Sequence, residues 1–205
     1  PVASPSMQHG VTTVLTGNCG FTLYPAKPED VDWLAGMLTR VEGMSREAMA
    51  EGFKWSGGSF AEYWARLEGK LGLNVGGYVG HCAIRRMVMG DDASEREATA
   101  EEIDGMKQLV RESMEQGAVG FSTSQLDLHV GEDGRGVPSN HATPEEIIAL
   151  CSVLSEFAHG VIEIIPRSHS EGHDEADRAM LMEMARVSGK AIELGPLSPA
   201  ADHPM

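Results

Sequence analysis

Gly10-Val11-Thr12-Thr13-Val14-Leu15-Thr16-Gly17-Asn18-Cys19-Gly20-Phe21 is the stretch on which the reading of this chain turns. The β-branched run from Val11 to Thr16 predicts a short buried strand, and Gly17 and Gly20 close it in a turn. That turn carries Cys19 to the C-terminal lip of the strand. In α/β proteins the loops leaving the C-terminal ends of parallel strands build the site. A thiolate there can bind a metal or act as a nucleophile. The alternative is a buried free cysteine that packs as a small hydrophobe.

Outward from this stretch the chain reads as alternating strands and helices. Pro28-Glu29-Asp30 marks a helix start, with proline in the first turn and acids at the positive dipole end. That helix continues through Trp33, Met37 and Leu38. Ser45 to Gly52 and Ser59 to Leu67 follow as short helices. Leu71 to Val79 is the second strand, and Gly76-Gly77 within it predicts a close approach to the backbone. Gly80 to Met87 reads as a short helix. Thr99-Ala100-Glu101-Glu102 is a capping box ahead of the apolar face Ile103, Met106, Val110 and Met114. Ala118 to Ser122 is the third strand, and Leu126 to Asn140 is a polar loop. Thr143-Pro144-Glu145-Glu146 caps a helix reaching Ala158. Val161 to Ile165, a helix over Asp174 to Val187, and Ala191 to Leu194 complete the order. Pro1 to Gln8 shows no period. Short apolar strands alternating with capped helices predict an α/β protein with a parallel sheet. Five such strands suit an open doubly wound sheet or part of an eight-stranded barrel, and periodicity does not separate the two. Both ends of the sequence read as cut from something longer.

Composition narrows the function. The 205 residues carry 31 Asp and Glu against 16 Lys and Arg, a formal charge of −15. This balance argues against nucleic acid or an anionic membrane as partner. No apolar run approaches the roughly 18 residues of a membrane span, and no signal-peptide pattern opens the chain. The three cysteines, at 19, 82 and 151, form no CxxC pair and suggest no disulfide framework, so a cytoplasmic location is expected.

Chemistry-bearing residues gather at the strand ends: Cys19 after the first, His81 after the second, and Ser122, Thr123 and Ser124 at the third. Glu163 lies in the fourth strand and Glu193 in the fifth. Glu163 either faces the interior or pairs with an arginine in the sheet. His81 either caps a turn or faces a pocket. His169 and His173 have the i, i+4 spacing of a helical metal site, but Pro166 and Gly172 give that segment loop chemistry. The chain contains neither a P-loop nor a GxSxG nucleophile elbow.

Taken together, these motifs resemble the N-acyl-D-amino-acid deacylase (D-aminoacylase) branch of the amidohydrolase superfamily. The resemblance rests on His9-Gly10-Val11-Thr12-Thr13-Val14 with Gly17-Asn18-Cys19-Gly20-Phe21, then Tyr78-Val79-Gly80-His81 with Met89-Gly90. Ala98-Thr99 to Met106 and Gly117-Ala118-Val119-Gly120-Phe121-Ser122-Thr123 agree in order and spacing. It implies a metal-dependent (β/α)8 TIM-type barrel, of which residues 1–205 would supply about strands two to six. The implied reaction is hydrolysis of an amide C–N bond in a small molecule, with N-acyl D-amino acids as the substrate class. A zinc-type ion would polarise the carbonyl and activate water. Cys19 inherits the role of metal ligand, and His81 and Ser122 are the candidates for substrate contact.

The departures are specific. The family's His-x-Asp pair and its late catalytic Asp have no counterpart in these residues. Histidines are expected on barrel strands five and six, where Val161-Ile162-Glu163-Ile164-Ile165 and Ala191-Ile192-Glu193-Leu194 stand instead. No acid or base is therefore assigned, the chain by itself is expected to be inactive, and it should hold zinc weakly or not at all. Exposed sheet edges are expected to seek a partner, such as a second copy. The rival readings are a degenerate, non-hydrolytic barrel that binds a small molecule, and an unrelated doubly wound domain, which lacks the nucleotide signature it would need.

Overall fold

Capping chemistry and apolar spacing place the helices close to where the sequence predicts them. The structure, a computed structural model, describes residues 4–52, 54–169 and 172–195. Helix α1 (Ser4–Gln8) forms where the sequence shows no period. The chain then folds back, with the His9 and Val11 amides donating to the Ser6 carbonyl, so β1 is confined to Thr13–Thr16. After a 3₁₀ turn at Pro28–Asp30 come α2 (Val31–Val41), α3 (Arg46–Gly52) and α4 (Phe60–Ala65). Ser59 and Glu62 form a full capping box at α4.

The second predicted strand is two pieces, β2 (Asn74–Gly77) and β3 (Val79–Gly80), interrupted at Tyr78. Helices α5 (His81–Met89) and α6 (Ala100–Glu115) follow. Strand β4 spans Gly120–Ser124, two residues later than predicted, because the Ala118 amide still donates to Ser113 at the end of α6. Helix α7 (Pro144–Ser152) stops short of Ala158 and passes into a 3₁₀ turn, Val153–Glu156. The Ser152 hydroxyl donates to the Ala149 carbonyl there, the back-bonding by which serine weakens a helix end. Strand β5 (Val161–Ile165), α8 (Glu175–Ser188) and β6 (Ala191–Leu194) complete the described chain.

Every strand pair is parallel. β1 pairs with β2, and β3, β4, β5 and β6 lie side by side in that order. The break at Tyr78 is bridged by hydrogen bonds, from the Tyr78 amide to Thr16 and from the Val119 amide to Gly77, both 2.9 Å. The strands therefore run in sequence order, unlike the permuted order of a doubly wound sheet. β1 and β6 are the edges, and no strand joins them among the described residues.

Register separates two faces. The row Val79, Phe121, Ile162 and Ile192 turns toward the helices. There it packs with Met106, Val110, Met114, Ile147, Leu150 and Met184. Each fully buried side chain of this size contributes on the order of 1.5–3 kcal/mol. The next row, Gly80, Ser122, Glu163 and Glu193, turns to the opposite face, so polar residues line the side without helices. A second apolar cluster, with Phe21, Leu34, Met37, Cys82 and Val137, packs α2 over the ends of the strands. The close approach predicted at Gly76-Gly77 is present: a Cβ on Gly77 would lie 2.4 Å from the Trp64 ring.

Candidate functional site

The turn after β1 is held in an unfavourable backbone shape. Gly17 and Gly20 have φ of 95° and 82°, and Cys19 between them has φ 61°. A non-glycine residue in this region is uncommon and costs about 1 kcal/mol or more. Two side chains from the polar row secure it. The Ser122 hydroxyl donates to the Gly17 carbonyl at 2.5 Å. The Cys19 amide donates to Glu163 Oε2 at 2.6 Å, across 144 residues of sequence. Gly20 lies against the Ser122 carbonyl and Thr123 Cα, with no room for a side chain to settle freely.

Glu163 is fully buried and faces the interior. Its partner is the Cys19 turn, and among the described residues no arginine pairs with it. Burial pushes its carboxyl up to about 7; the Cys19 amide opposes the rise and the Glu193 charge adds to it. Cys19 Sγ stands 3.9 Å from Glu163 Oε1. Burial first, and then the Glu163 charge, pushes that thiol up to about 12. Beside them the Tyr78 hydroxyl donates to Glu193 Oε2 at 3.0 Å. The strands expected to carry histidines thus present two carboxylates on the face that Cys19 overhangs.

His81 opens α5 at the same end of the sheet, but on its helix side. It is fully buried. The imidazole lies 2.8 Å from Thr123 Oγ1 through Nδ1 and 2.8 Å from Glu146 Oε1 through Nε2. Arg85 reaches the same carboxylate with 2.6 and 2.5 Å bonds. Burial lowers the His81 pKa against the pull of Glu146. The neutral ring therefore donates from Nε2 to Glu146 and accepts the Thr123 hydroxyl at Nδ1, the tautomer this network requires. For Glu146, burial would raise the pKa, but the bonds from His81 and Arg85 outweigh it and hold the carboxylate ionised. Both nitrogens of His81 and the hydroxyl of Ser122 are thus occupied by the protein itself.

Sequence reasoning singled out neither Arg85 nor Glu146, nor the Tyr78 hydroxyl. A signal existed. Thr143 accepts from the Glu146 amide as a cap, but the Glu146 side chain does not return to the cap as Glu102 does at Thr99. It turns inward to Arg85 instead. His169 and His173 lie before α8 rather than on it, with both Nδ1 atoms buried and, among the described residues, without a partner. A cavity of about 590 Å³, lined by Gln125, Asn140, His141, Arg167 and Asp177 among others, lies apart from Cys19 and Glu163.

No protein-family model matches the chain. Over 192 residues, 93% of its length, it is 34% identical to a D-aminoacylase of Alcaligenes xylosoxydans xylosoxydans. The chain is related to the D-aminoacylases. An N-acyl-D-aspartate deacylase of the same organism is 30% identical over 94% of the chain. Among solved structures, N-acyl-D-glutamate deacylase of Bordetella bronchiseptica, complexed with zinc and a phosphonate mimic of the tetrahedral intermediate, superposes with a TM-score of 0.67 at 27% identity. That match covers 91% of this chain and 34% of the other. A D-aminoacylase that defines a subset of amidohydrolases matches with TM-score 0.60 and 30% identity, over 93% of this chain and 35% of its own. The chain spans about a third of the length of these relatives.

The donor chemistry here suits part of a zinc-type site. Among the described residues, no three His, Cys, Asp or Glu side chains come together closely enough to hold a metal ion. Two do stand together, Cys19 Sγ and Glu163 Oε1. Thiolate and carboxylate are both accepted zinc ligands, and a structural or catalytic site needs three or four.

Proposed function

We propose that the protein to which this chain belongs is a metal-dependent amidohydrolase that cleaves the amide C–N bond of N-acyl D-amino acids. In this reading β1 to β6, with β2 and β3 counted as one interrupted strand, are strands two to six of a (β/α)8 barrel, a single domain across residues 1–205. Relatedness to D-aminoacylase over 93% of the chain supports it. So does the likeness to a deacylase that holds zinc and a phosphonate. The observation that carries the site assignment is the thiol of Cys19, set at a strand lip in a left-handed turn and anchored from the interior by Glu163.

A bound zinc-type ion would polarise the scissile carbonyl and activate water. This chain's own residues hold and shape. Cys19 contributes a ligand, and Ser122 and Glu163 fix the turn that carries it. His81, locked between Thr123 and Glu146, keeps the start of α5 against Gly20 and so forms the wall behind the turn. We assign His81 and Ser122 this supporting role toward substrate rather than direct contact, because their polar atoms are already engaged. The acid or base and the remaining metal ligands would come from elsewhere in the whole protein, so the chain alone would be inactive. The β1 and β6 edges would pair with other strands of that protein or with a second copy. The chain is acidic, and among the described residues no helix is long and apolar enough to cross a membrane; we propose a cytoplasmic enzyme that does not bind nucleic acid.

A second reading is a barrel that binds a small molecule without hydrolysing it. Glu163 and Glu193, where histidines are expected, favour it. The test is hydrolysis of N-acetyl D- and L-amino acids by the full-length protein, with its metal removed and then restored. Metal-dependent cleavage of the D series alone supports the first reading. Ligand binding without turnover, in protein of full metal content, supports the second.

A further inference from the structure

The inner carboxylate of Glu163 is served unevenly. Oε2 accepts the Cys19 amide at 2.6 Å. Among the described residues Oε1 has only the Cys19 thiol, at 3.9 Å, which is too long for a good hydrogen bond. Yet the side chain is fully buried, and among the described residues no Lys, Arg or His reaches it. Buried carboxylate oxygens nearly always have real partners, and one that lacks them calls for a bound water or ion.

Distance selects between these. A thiolate sulfur at about 2.3 Å and a carboxylate oxygen at about 2.0–2.2 Å from one ion stand roughly 3.5–3.9 Å apart, for angles from tetrahedral to somewhat wider. The observed 3.9 Å lies within that bite. We infer that Cys19 Sγ and Glu163 Oε1 are two donors of one divalent-cation site, which is a mixed sulfur and oxygen site rather than one completed by imidazoles from β5 and β6. Glu193, tied to the Tyr78 hydroxyl, stays beside the site and is not a donor. Binding forms a metal–sulfur bond and breaks the S–H bond, and that proton leaves to buffer. This inference rests on the reading of Cys19 as a metal ligand given above, and adds a partner to it.

The experiment is titration of the metal-stripped full-length protein with cadmium alone. The readouts are the thiolate-to-metal absorption band, the affinity, and the protons released to buffer. Wild type should show the band at one equivalent. Cys19→Ser should abolish it. Glu163→Gln keeps an oxygen for the Cys19 amide, so it should keep the band while weakening affinity at least tenfold. Loss of the band in Cys19→Ser with unchanged affinity in Glu163→Gln would overturn the inference and leave the proposed function standing. Absence of any thiolate band in wild type would overturn both. Should Glu163→Gln fail to fold, cadmium NMR of the wild type decides: a shift for sulfur with oxygen donors supports the site, and one for sulfur with nitrogen donors overturns it.

Discussion

Arg85 and Glu146, 61 residues apart in sequence, form an ion pair from which water is excluded on both sides, with Nη1 bonded to both carboxylate oxygens at 2.6 and 2.5 Å. Arg85 also donates to the Arg96 carbonyl at 2.8 Å, so one guanidinium joins α5, α7 and the segment before α6. Removing one member of a buried pair strands the other charge, at a cost of about 3–5 kcal/mol. Arg85→Met should destabilise by that amount in urea unfolding. Adding Glu146→Gln should recover a large part, because no lone charge then remains. A single-variant loss below about 1 kcal/mol would show that the pair is not formed.

His81 gives the protein an acid-sensitive element. Its folded pKa lies below the ordinary histidine value because burial disfavours the cation. The unfolded chain therefore binds more protons below about pH 6.5, so stability is complete above that value and falls as pH drops. Replacing the ring by His81→Gln should flatten the dependence of unfolding free energy on pH below about 6.5. The same slope in both proteins would exclude His81 as its source.

Gly77 is a packing constraint. A methyl there would meet Trp64 at 2.4 Å and the Tyr24 hydroxyl at 2.5 Å. Overpacking of this kind costs about 1–3 kcal/mol. Gly77→Ala should lower the thermal midpoint, and Gly134→Ala, where the added methyl meets nothing within 4 Å, should lower it less despite its positive φ. Equal effects would mean that the Trp64 contact is absent.

Thiol chemistry should be slow throughout. Cys82 and Cys151 are fully buried, and the partly exposed Cys19 has its pKa pushed up to about 12 by burial and by Glu163. The thiolate is the reactive form. In metal-free protein near pH 7.5, iodoacetamide should label Cys19 far more slowly than a small free thiol, as followed by mass spectrometry. Glu163→Gln should speed the reaction by removing the facing charge. Labelling at the rate of a free thiol would contradict this environment.

Local sequence carried much of the architecture. Thr99, Thr143 and Asp174 each cap the helix predicted after them, because a cap needs only an oxygen and an amide three residues on. The strand positions and the glycine turn around Cys19 were legible for the same reason, but β1, expected to be buried, is largely exposed as an edge strand, with Leu15 46% exposed. The split at Tyr78, the short helix before β1 and the early end of α7 were not, since each depends on a hydrogen-bond partner that propensity does not specify.

The sequence by itself determined that strands and helices alternate, that Cys19 stands at a strand lip, and that β5 and β6 carry glutamates where the resemblance implies histidines. Tertiary structure alone decided what those groups meet. Parallel register brings Ser122, Glu163 and Glu193 into one row. Glu163 can then reach an amide 144 residues away, while His81 turns to the other face and spends both nitrogens on Thr123 and Glu146. Capping and strand propensity act over three or four residues, whereas a buried polar group must take its partners from whichever chain segment the register lays beside it.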